Sequence, residues 1–225
     1  MQVQGKWIDY TGCVMSIDPS GKGADETAYA ITKILNGNIY LVASGGFNAG
    51  YTDYVLDRIT LLAKKHKVNK ILIEDNFGQG MFEALLKPYL IKQYPCTTEL
   101  IRSTTNKHKR IIDTLEPLLT QHRLVIDAKV IKADYEETNS IYSTERALRY
   151  QLMYQMSRIQ YGANTLVQDD RLDALQMCCN YWIEHLAKDQ DIAVKQRKDE
   201  LVMQELEKFY NVPNQNTWIW LSTAL

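Results

Sequence analysis

A short apolar run that ends on an acid constrains this chain more than any other stretch. Residues 70–73 are too few for a helix, and their apolar character is typical of a central strand covered on both faces. Glu74 ends this strand, and Gly78 and Gly80 then loosen the backbone before the next predicted helix. Because the functional groups of open α/β sheets gather at the carboxyl ends of strands, Glu74 is a candidate functional residue.

The pattern around this strand predicts a defined order of elements. Three strands precede it, with the turn signal Asn36-Gly37-Asn38 between the second and the third, and helices alternate with strands after it. The order βββ-α-β-α-β-α is that of the ribonuclease H-like fold, an α/β fold in which helices flank a central mixed sheet of three antiparallel strands followed by parallel strands. That fold places one acid on its first strand and another at the end of its fourth, and Asp18 and Glu74 hold those positions. The predicted strands are 13–17, 27–35, 39–44, 70–73, 98–101 and 123–126, and the predicted helices between them are 53–66, 82–94 and 107–122.

The later chain is predicted to be helical, with long helices at 144–159, 169–186 and 191–210. We expect residues 1–12 to form an irregular lead-in, 13–188 to form the α/β domain, and 189–225 to form a charged helix and tail. The sequence has a helical C-terminal extension on this interpretation.

Composition excludes some classes of protein and leaves others open. A net charge of −1 over 225 residues gives no global sign of a nucleic-acid binder, although it allows a local basic patch. We see neither a run long enough to span a membrane nor a signal peptide, so no membrane partner is expected. The spacing of the four cysteines fits neither a zinc site nor a disulfide framework, and we expect reduced cysteines that pack inside the fold.

A third acidic cluster opens the predicted helix at 169–186. Asp173 shares a helix face with Asp169 and Asp170, because residues three and four apart are neighbours on a helix. Favourable interaction of acids with the helix dipole explains one or two of these residues. It explains Asp173 less well, since Asp173 lies close to the apolar stripe of Leu172 and Leu175.

Acids from three parts of a fold repel one another unless a cation neutralises them. Magnesium and manganese prefer carboxylate and water ligands, and two such ions about 3.5–4 Å apart activate water and stabilise the leaving oxygen in phosphodiester cleavage. Asp18, Glu74 and the cluster at 169–173 therefore predict a site for Mg²⁺ or Mn²⁺.

Three motifs in this order resemble the nuclease domain of the large terminase subunits of tailed bacteriophages. They are DPSGKG at 18–23 with DET at 25–27, EDNFG at 74–78, and DDRLDAL at 169–175, which is the most specific. The resemblance runs from about residue 13 to residue 182. It implies a ribonuclease H-like, RuvC-like fold and metal-dependent endonucleolytic cutting of concatemeric double-stranded DNA during viral genome packaging.

By motif position, the resemblance implies a two-ion site. Asp18, Glu74 and Asp170 are the expected catalytic ligands, and Asp169 and Asp173 support them at the metal. The expected partners are double-stranded DNA, the packaging ATPase domain, the small terminase subunit and the portal, in the cytoplasm of the host cell. Large terminase subunits carry an ATPase before the nuclease, whereas here the first nuclease strand follows Met1 almost at once, so we expect an isolated nuclease domain, either a fragment or a separately encoded chain.

The basic stretch at 102–110 is the strongest candidate for contact with DNA. It leads from a strand into a helix amino terminus, where backbone N–H groups also receive phosphate. The alternative is an ordinary solvated run of charges. The expected contacts are Arg102, Lys107, Lys109 and Arg110.

Two other functions remain open from the residues alone. A ribonuclease H or a junction resolvase uses the same scaffold, and a panel of substrates separates these from a packaging nuclease. A non-catalytic assembly module would use its acids only to cap helices, and titration with manganese tests for that case.

Overall fold

The computed structural model describes most of the chain, and it divides the chain into two compact units, 1–183 and 184–225. The described residues are 2–3, 6–20, 26–75, 80–103, 106–162 and 166–210. In chain order the elements are β1 (Gln2–Val3), β2 (Lys6–Trp7), β3 (Gly12–Asp18), β4 (Thr27–Leu35), β5 (Asn38–Phe47), α1 (Asp53–His66), β6 (Lys70–Glu74), α2 (Met81–Gln93), β7 (Thr97–Ile101), α3 (Lys107–Thr120), β8 (Leu124–Ile126), α4 (Ala128–Ile141), α5 (Thr144–Tyr150), α6 (Leu152–Arg158) and α7 (Asp170–Tyr210).

A six-stranded mixed sheet forms the centre of the first unit. Its strand order is β7-β6-β3-β4-β5-β8. The pairs β3–β4 and β4–β5 are antiparallel, as expected of a meander, and β6, β7 and β8 join the sheet in parallel. The predicted element order and the predicted mixed sheet are thus confirmed.

One face of the central strands carries the hydrophobic core. Side chains alternate across a strand, so Met15 and Ile17 of β3 point to the same side as Ile71 and Ile73 of β6. All four are buried, and they pack in one cluster with residues of α1 and α2, including Ile59. The strongly apolar character of residues 70–73 therefore reflects a strand covered on both faces, as predicted.

The other face of the same strands is covered by the first turns of α7. Ser16 Oγ donates a hydrogen bond to the carbonyl of Ala174, and Trp182 Nε1 donates to Thr32 Oγ1 at 2.9 Å. Because Asp18 shares a strand face with Ser16, its side chain points to the α7 side of the sheet. The alternation of side chains along β3 thus places the carboxylate of Asp18 on the face of the sheet that α7 covers.

The amino terminus differs from the expectation of an irregular lead-in. β1 and β2 pair in antiparallel fashion, with Gln2 opposite Trp7 and Val3 opposite Lys6. Two-residue strands are too short to show a periodic pattern, which is why the sequence did not reveal them. Parts of two motifs, at 21–25 and at 76–79, lie outside the described residues, as does the tail at 211–225.

The helical region departs from the prediction in two ways. The predicted helix at 144–159 is two helices, α5 and α6, with Gln151 in an extended conformation (φ −73°, ψ 125°) between them. Helix α4 was not predicted, and it is the more important difference because its buried positions, Val130, Asp134 and Thr138, are mostly polar.

The predicted break between 186 and 191 is also wrong, since α7 runs from Asp170 to Tyr210. The predicted break at 161–164 falls partly on residues 163–165, which lie outside the described part. The four cysteines are free thiols, and three of them are buried, which confirms their packing role. In the described part of the chain, no helix combines the length and the apolar character that crossing a membrane requires.

Candidate metal centre

Asp18 and Glu74 lie side by side at the carboxyl ends of neighbouring strands. β3 and β6 are parallel, and their register places Ile17 opposite Ile73, so the next residue on each strand is an acid. Both acids are the last residues of their strands, and their side chains lie on the α7 side of the sheet. The strand-end position predicted for these two residues is therefore what the structure shows.

The third carboxylate comes from the first turn of α7. Asp173 is fully buried, and its backbone N–H donates to the carbonyl of Asp169 at 2.9 Å. One carboxylate oxygen from each of Asp18, Glu74 and Asp173 lies within 4.8 Å of the other two. Three elements that are far apart in the sequence thus bring three acids to one point, which we call the acid triad.

Burial works against the ionised state of these acids. It raises the pKa of Asp18 well above its ordinary value, and the nearby charges of Glu74, Asp173 and Asp170 raise it further. Burial also raises the pKa of Asp173. A cation at the triad reverses this effect, because it favours the charged form of each carboxyl.

The amino terminus of α3 supplies two cations to the triad. Lys107 Nζ lies 2.9 Å from Asp169, 3.2 Å from Asp173 and 3.4 Å from Asp18. Burial lowers the pKa of this ammonium, but the three carboxylates outweigh burial and raise it overall. Residues three apart share a helix face, so Arg110 reaches the same place.

Arg110 bridges the two sides of the triad. Its Nη2 lies 2.5 Å from Asp173 Oδ1 and 3.6 Å from Glu74 Oε1, and its side chain is only 16% exposed. The sequence analysis predicted DNA contacts for Lys107 and Arg110 and missed their pairing with the acids. The i, i+3 spacing of two cations at a helix start was the available signal.

The other aspartates of the third cluster lie at the edge of the triad. Asp169 accepts from Lys107 and lies 3.4 Å from His108 Nε2. Asp170 is the first residue of α7, and its charge acts on Asp18. The structure brings Asp173 closest to Asp18 and Glu74, while the preference for Asp170 as the principal ligand stays a prediction.

Asp75 has a different task from its neighbour Glu74. Its carboxylate accepts from the backbone N–H of Gly80 at 2.6 Å and from the guanidinium of Arg102 at 3.0 and 3.3 Å. The bond to Gly80 links the residues on the two sides of 76–79, and the bonds to Arg102 link Asp75 to the residue after β7. Arg102 is 70% exposed, and Lys109 is exposed as well, so both remain accessible to a ligand from solvent.

The donor set of the triad fits a hard divalent cation. Its members are carboxylate oxygens, which are the ligands that magnesium and manganese prefer, and they come from rigid strand ends and a helix start. Two basic side chains, Lys107 and Arg110, already lie against these carboxylates, so the triad is a place where positive charge is favoured. Asp18, Glu74 and Asp173 are the residues that would hold such an ion, with Asp169 and Asp170 beside them.

Comparison with known proteins points in one direction. A family model described as the ribonuclease H-like domain of the bacteriophage T7 terminase matches residues 17–124. The large terminase subunit of Enterobacteria phage T3 is 42% identical over 168 residues, which make up 75% of this chain and 28% of that relative.

Solved structures agree on the fold. The human cytomegalovirus terminase nuclease domain, soaked with manganese and bound to an inhibitor, aligns with a TM-score of 0.54 at 10% identity over 76% of this chain and 82% of that one. The nuclease domain of the large terminase subunit of bacterial virus Sf6 aligns with a TM-score of 0.50 at 15% identity, covering 77% of this chain and 90% of that one.

The mixed sheet and its flanking helices define a ribonuclease H-like fold, here with an acidic centre at the strand ends. The family match and the T3 relative place the chain more narrowly: it belongs to the ribonuclease H-like nuclease domains of phage terminase large subunits. The chain spans 28% of the length of the T3 relative.

Proposed function

We propose that this chain is a metal-dependent DNA endonuclease domain that cuts double-stranded DNA by phosphodiester hydrolysis with two Mg²⁺ or Mn²⁺ ions. The observation that carries the proposal is the convergence of Asp18, Glu74 and Asp173 from three separate elements within 4.8 Å. Such a buried concentration of like charge costs free energy, and a functional demand for divalent ions accounts for it. The manganese soak named for the cytomegalovirus domain supports the same ion chemistry.

The chain's own residues have separable roles in this proposal. Asp18, Glu74, the two aspartates of α7 (Asp170 and Asp173) and Asp169 just before that helix hold the ions. The bound ions supply an activated water and stabilise the charge that develops on the leaving oxygen. The protein fixes the ligands on strand ends and a helix start, so little reorganisation is needed when the substrate arrives.

The basic residues next to the triad are proposed to receive the DNA backbone. Arg102 and Lys109 are exposed, and Lys107 and Arg110 border the acids directly. A phosphate that reaches the ions would come close to Lys107 and Arg110, while the exposed Arg102 and Lys109 would contact the DNA backbone on either side. Because phosphate contacts carry no sequence information, we expect binding that is sensitive to salt and largely independent of sequence.

The substrate and partners follow from the family. Relatedness to the T3 large terminase subunit supports concatemeric viral DNA as the substrate, in the cytoplasm of the host cell. It also supports a packaging ATPase domain, the small terminase subunit and the portal as partners. In this setting the domain performs the cut that releases a packaged genome from the concatemer.

Incubation of the protein with supercoiled plasmid tests the proposal. Reactions contain Mn²⁺, Mg²⁺ or EDTA, each with and without ATP, and the wild type is run beside Asp18→Asn. We expect relaxed, linear and then degraded DNA with either metal and without ATP, since hydrolysis needs only the divalent ions. EDTA and Asp18→Asn should each stop the reaction.

Other outcomes discriminate between the candidate functions. A strict requirement for ATP would contradict cleavage by this domain alone. Cutting confined to RNA–DNA hybrids or to four-way junctions would indicate a ribonuclease H or a resolvase on the same fold. Absence of Mn²⁺ binding at the triad would favour an assembly module.

A further inference from the structure

A second ionic cluster lies behind the acid triad and is built around a fully buried cation. Arg171 is 0% exposed and stands between Asp170 and Asp173 in the sequence. Its guanidinium binds Glu26 through Nε at 2.6 Å and through Nη2 at 2.9 Å, and it binds Asp134 through Nη1 at 2.7 Å. Nη2 also lies 3.0 Å from Glu137 Oε1.

These carboxylates are themselves held by the backbone. Asp134 accepts from the N–H of Leu152 at 2.9 Å, and Glu137 accepts from the N–H of Gly46 at 3.0 Å. A Cβ on Gly46 would lie 2.1 Å from Glu26 Oε2, so glycine is required where β5 meets this cluster. The cluster therefore connects α7 to α4, β5, α6 and the residue preceding β4.

The position of Arg171 on the helix gives this cluster a consequence for the triad. Successive residues turn by about 100° around a helix, so Arg171 projects nearly opposite to Asp173, two residues on. The bonds that hold the guanidinium of Arg171 through Nε, Nη1 and Nη2 therefore also fix the rotation of the first turn about the helix axis. A rotation of about 10° would move a carboxylate that lies some 5–6 Å from the axis by about 1 Å.

A further bond holds the same turn from another side. The backbone N–H of Leu172, which lies in the unbonded first turn of the helix, donates to Gln155 Oε1 at 3.1 Å. Gln155 is completely buried, and its amide nitrogen donates to the carbonyl of Arg149. The start of α7 is thus anchored by side chains on two sides while its acids face the strand ends.

We propose that Arg171 is the positioning residue of the acid triad: its bonds to Glu26, Asp134 and Glu137 set the rotation of α7 that points the aspartates at the metal. This inference rests on the proposed metal-binding function. It gives a role to a charged network that is buried beneath the helix. Residues that orient metal ligands from outside the coordination sphere influence metal affinity strongly, and their removal lowers it by about 10- to 100-fold.

The test compares Arg171→Lys with the wild type. Lysine keeps the positive charge among the three carboxylates but lacks the planar fork that binds all of them at once. We expect Mn²⁺ affinity, measured by calorimetry on folded protein, to fall by about tenfold or more. Leu86→Ala is the matched control, because Leu86 is buried in the core on the opposite face of the sheet and its loss lowers stability without touching α7.

Each outcome has a defined meaning. Weaker Mn²⁺ binding by Arg171→Lys, with unchanged binding by Leu86→Ala, supports a positioning role. A general loss of stability would not change the Mn²⁺ dissociation constant of either variant in its folded state. Equal affinity of Arg171→Lys and wild type overturns it and leaves the proposed function intact. A wild type that binds no Mn²⁺ overturns the proposed function instead, and the positioning role with it.

A milder variant keeps the inference testable if Arg171→Lys does not fold. Glu137→Ala removes one of the three carboxylates at a side chain that is 31% exposed, which the fold should tolerate. We expect weaker Mn²⁺ binding from this variant as well, together with a normal near-ultraviolet circular dichroism spectrum. Unchanged affinity would overturn the inference.

Discussion

Replacement of Lys107 by methionine should have opposite effects on stability and on metal affinity. Its ammonium contacts Asp18, Asp169 and Asp173 at 2.9–3.4 Å, which is the space that a divalent ion would share. Methionine keeps much of the volume and removes the charge. Without metal, the buried carboxylates of the variant lack the positive charge of the ammonium, so the folded state is less stable.

The expected loss in the free energy of unfolding follows from how deeply the ion pairs of Lys107 are buried. Removing one partner of a buried ion pair costs about 3–5 kcal/mol. The Lys107 side chain is 34% exposed, so water screens part of the interaction, and we reduce the expected loss to about 2–3 kcal/mol. For a chain of this size, that corresponds to a fall in melting temperature of about 4–12 °C.

Divalent metal should reverse this loss. In the wild type the ion competes with the ammonium for the same carboxylates, whereas in Lys107→Met it does not. If the whole contact is given up on binding, 2–3 kcal/mol corresponds to at most about a 30- to 150-fold gain in Mn²⁺ affinity. Melting curves in EDTA and in saturating Mn²⁺, together with calorimetric titration, measure both quantities.

A neighbouring lysine provides the control for this prediction. Lys109→Met makes the same change of charge on an exposed side chain of the same helix turn, and we expect an effect within about 0.5 kcal/mol. The reasoning is refuted if Lys107→Met loses the same stability with and without Mn²⁺ and binds the ion no more tightly than the wild type.

Three further predictions concern the acids and the DNA surface. Glu74→Gln should abolish plasmid cleavage with an unchanged circular dichroism spectrum, since an amide is a poor ligand for a hard cation; residual activity above one per cent or so would argue against its role as a ligand. Burial raises the pKa values of Asp18 and Asp173, so the folded state favours their protonated forms. The stabilisation that this gives is present below the unfolded-state pKa and is lost as pH rises through the folded-state pKa. The metal-free wild type should therefore lose stability relative to Asp173→Asn as pH rises above about 4, and parallel melting profiles for the two proteins would contradict this. The double variant Arg102→Ala with Lys109→Ala should lower DNA affinity and reduce the slope of log K against log salt by roughly two, as filter binding over a salt series can show, whereas an unchanged slope would place the DNA elsewhere.

The sequence was sufficient to locate two of the three acids because their positions follow from element order. Asp18 and Glu74 end strands whose apolar runs are legible in the sequence, and a parallel pair of strands brings its ends together. Element order does not decide which aspartate at the start of α7 joins Asp18 and Glu74. Residues three apart share a helix face, so only the rotation of the helix in the fold distinguishes Asp170 from Asp173.

Helix α4 escaped prediction for a reason that bears on the site. Its buried positions are Val130, Asp134 and Thr138, and two polar residues out of three leave no apolar period to detect. The helix packs through an ionic contact with Arg171 instead of a hydrophobic stripe. A local pattern cannot show such a contact, since its partner lies 37 residues away.

The break between α5 and α6 has the same origin. Residues 144–159 form a continuous amphipathic pattern, and a helix over the whole range is the local optimum. In the fold, the side chain of Asp134 accepts from the backbone N–H of Leu152 and caps a new helix there. Tertiary capping therefore overrides local propensity at Gln151.

The location of manganese in a crystal of this protein tests the central claim most directly. Anomalous scattering from a crystal soaked in Mn²⁺ identifies the ion independently of any assay of activity. We predict manganese bound by Asp18, Glu74 and at least one aspartate of α7, with metal–oxygen distances of about 2.0–2.6 Å and Lys107 displaced from the carboxylates. Manganese bound elsewhere on the surface, with Lys107 still paired to Asp18 and Asp173, would contradict the assignment of this cluster as a metal centre.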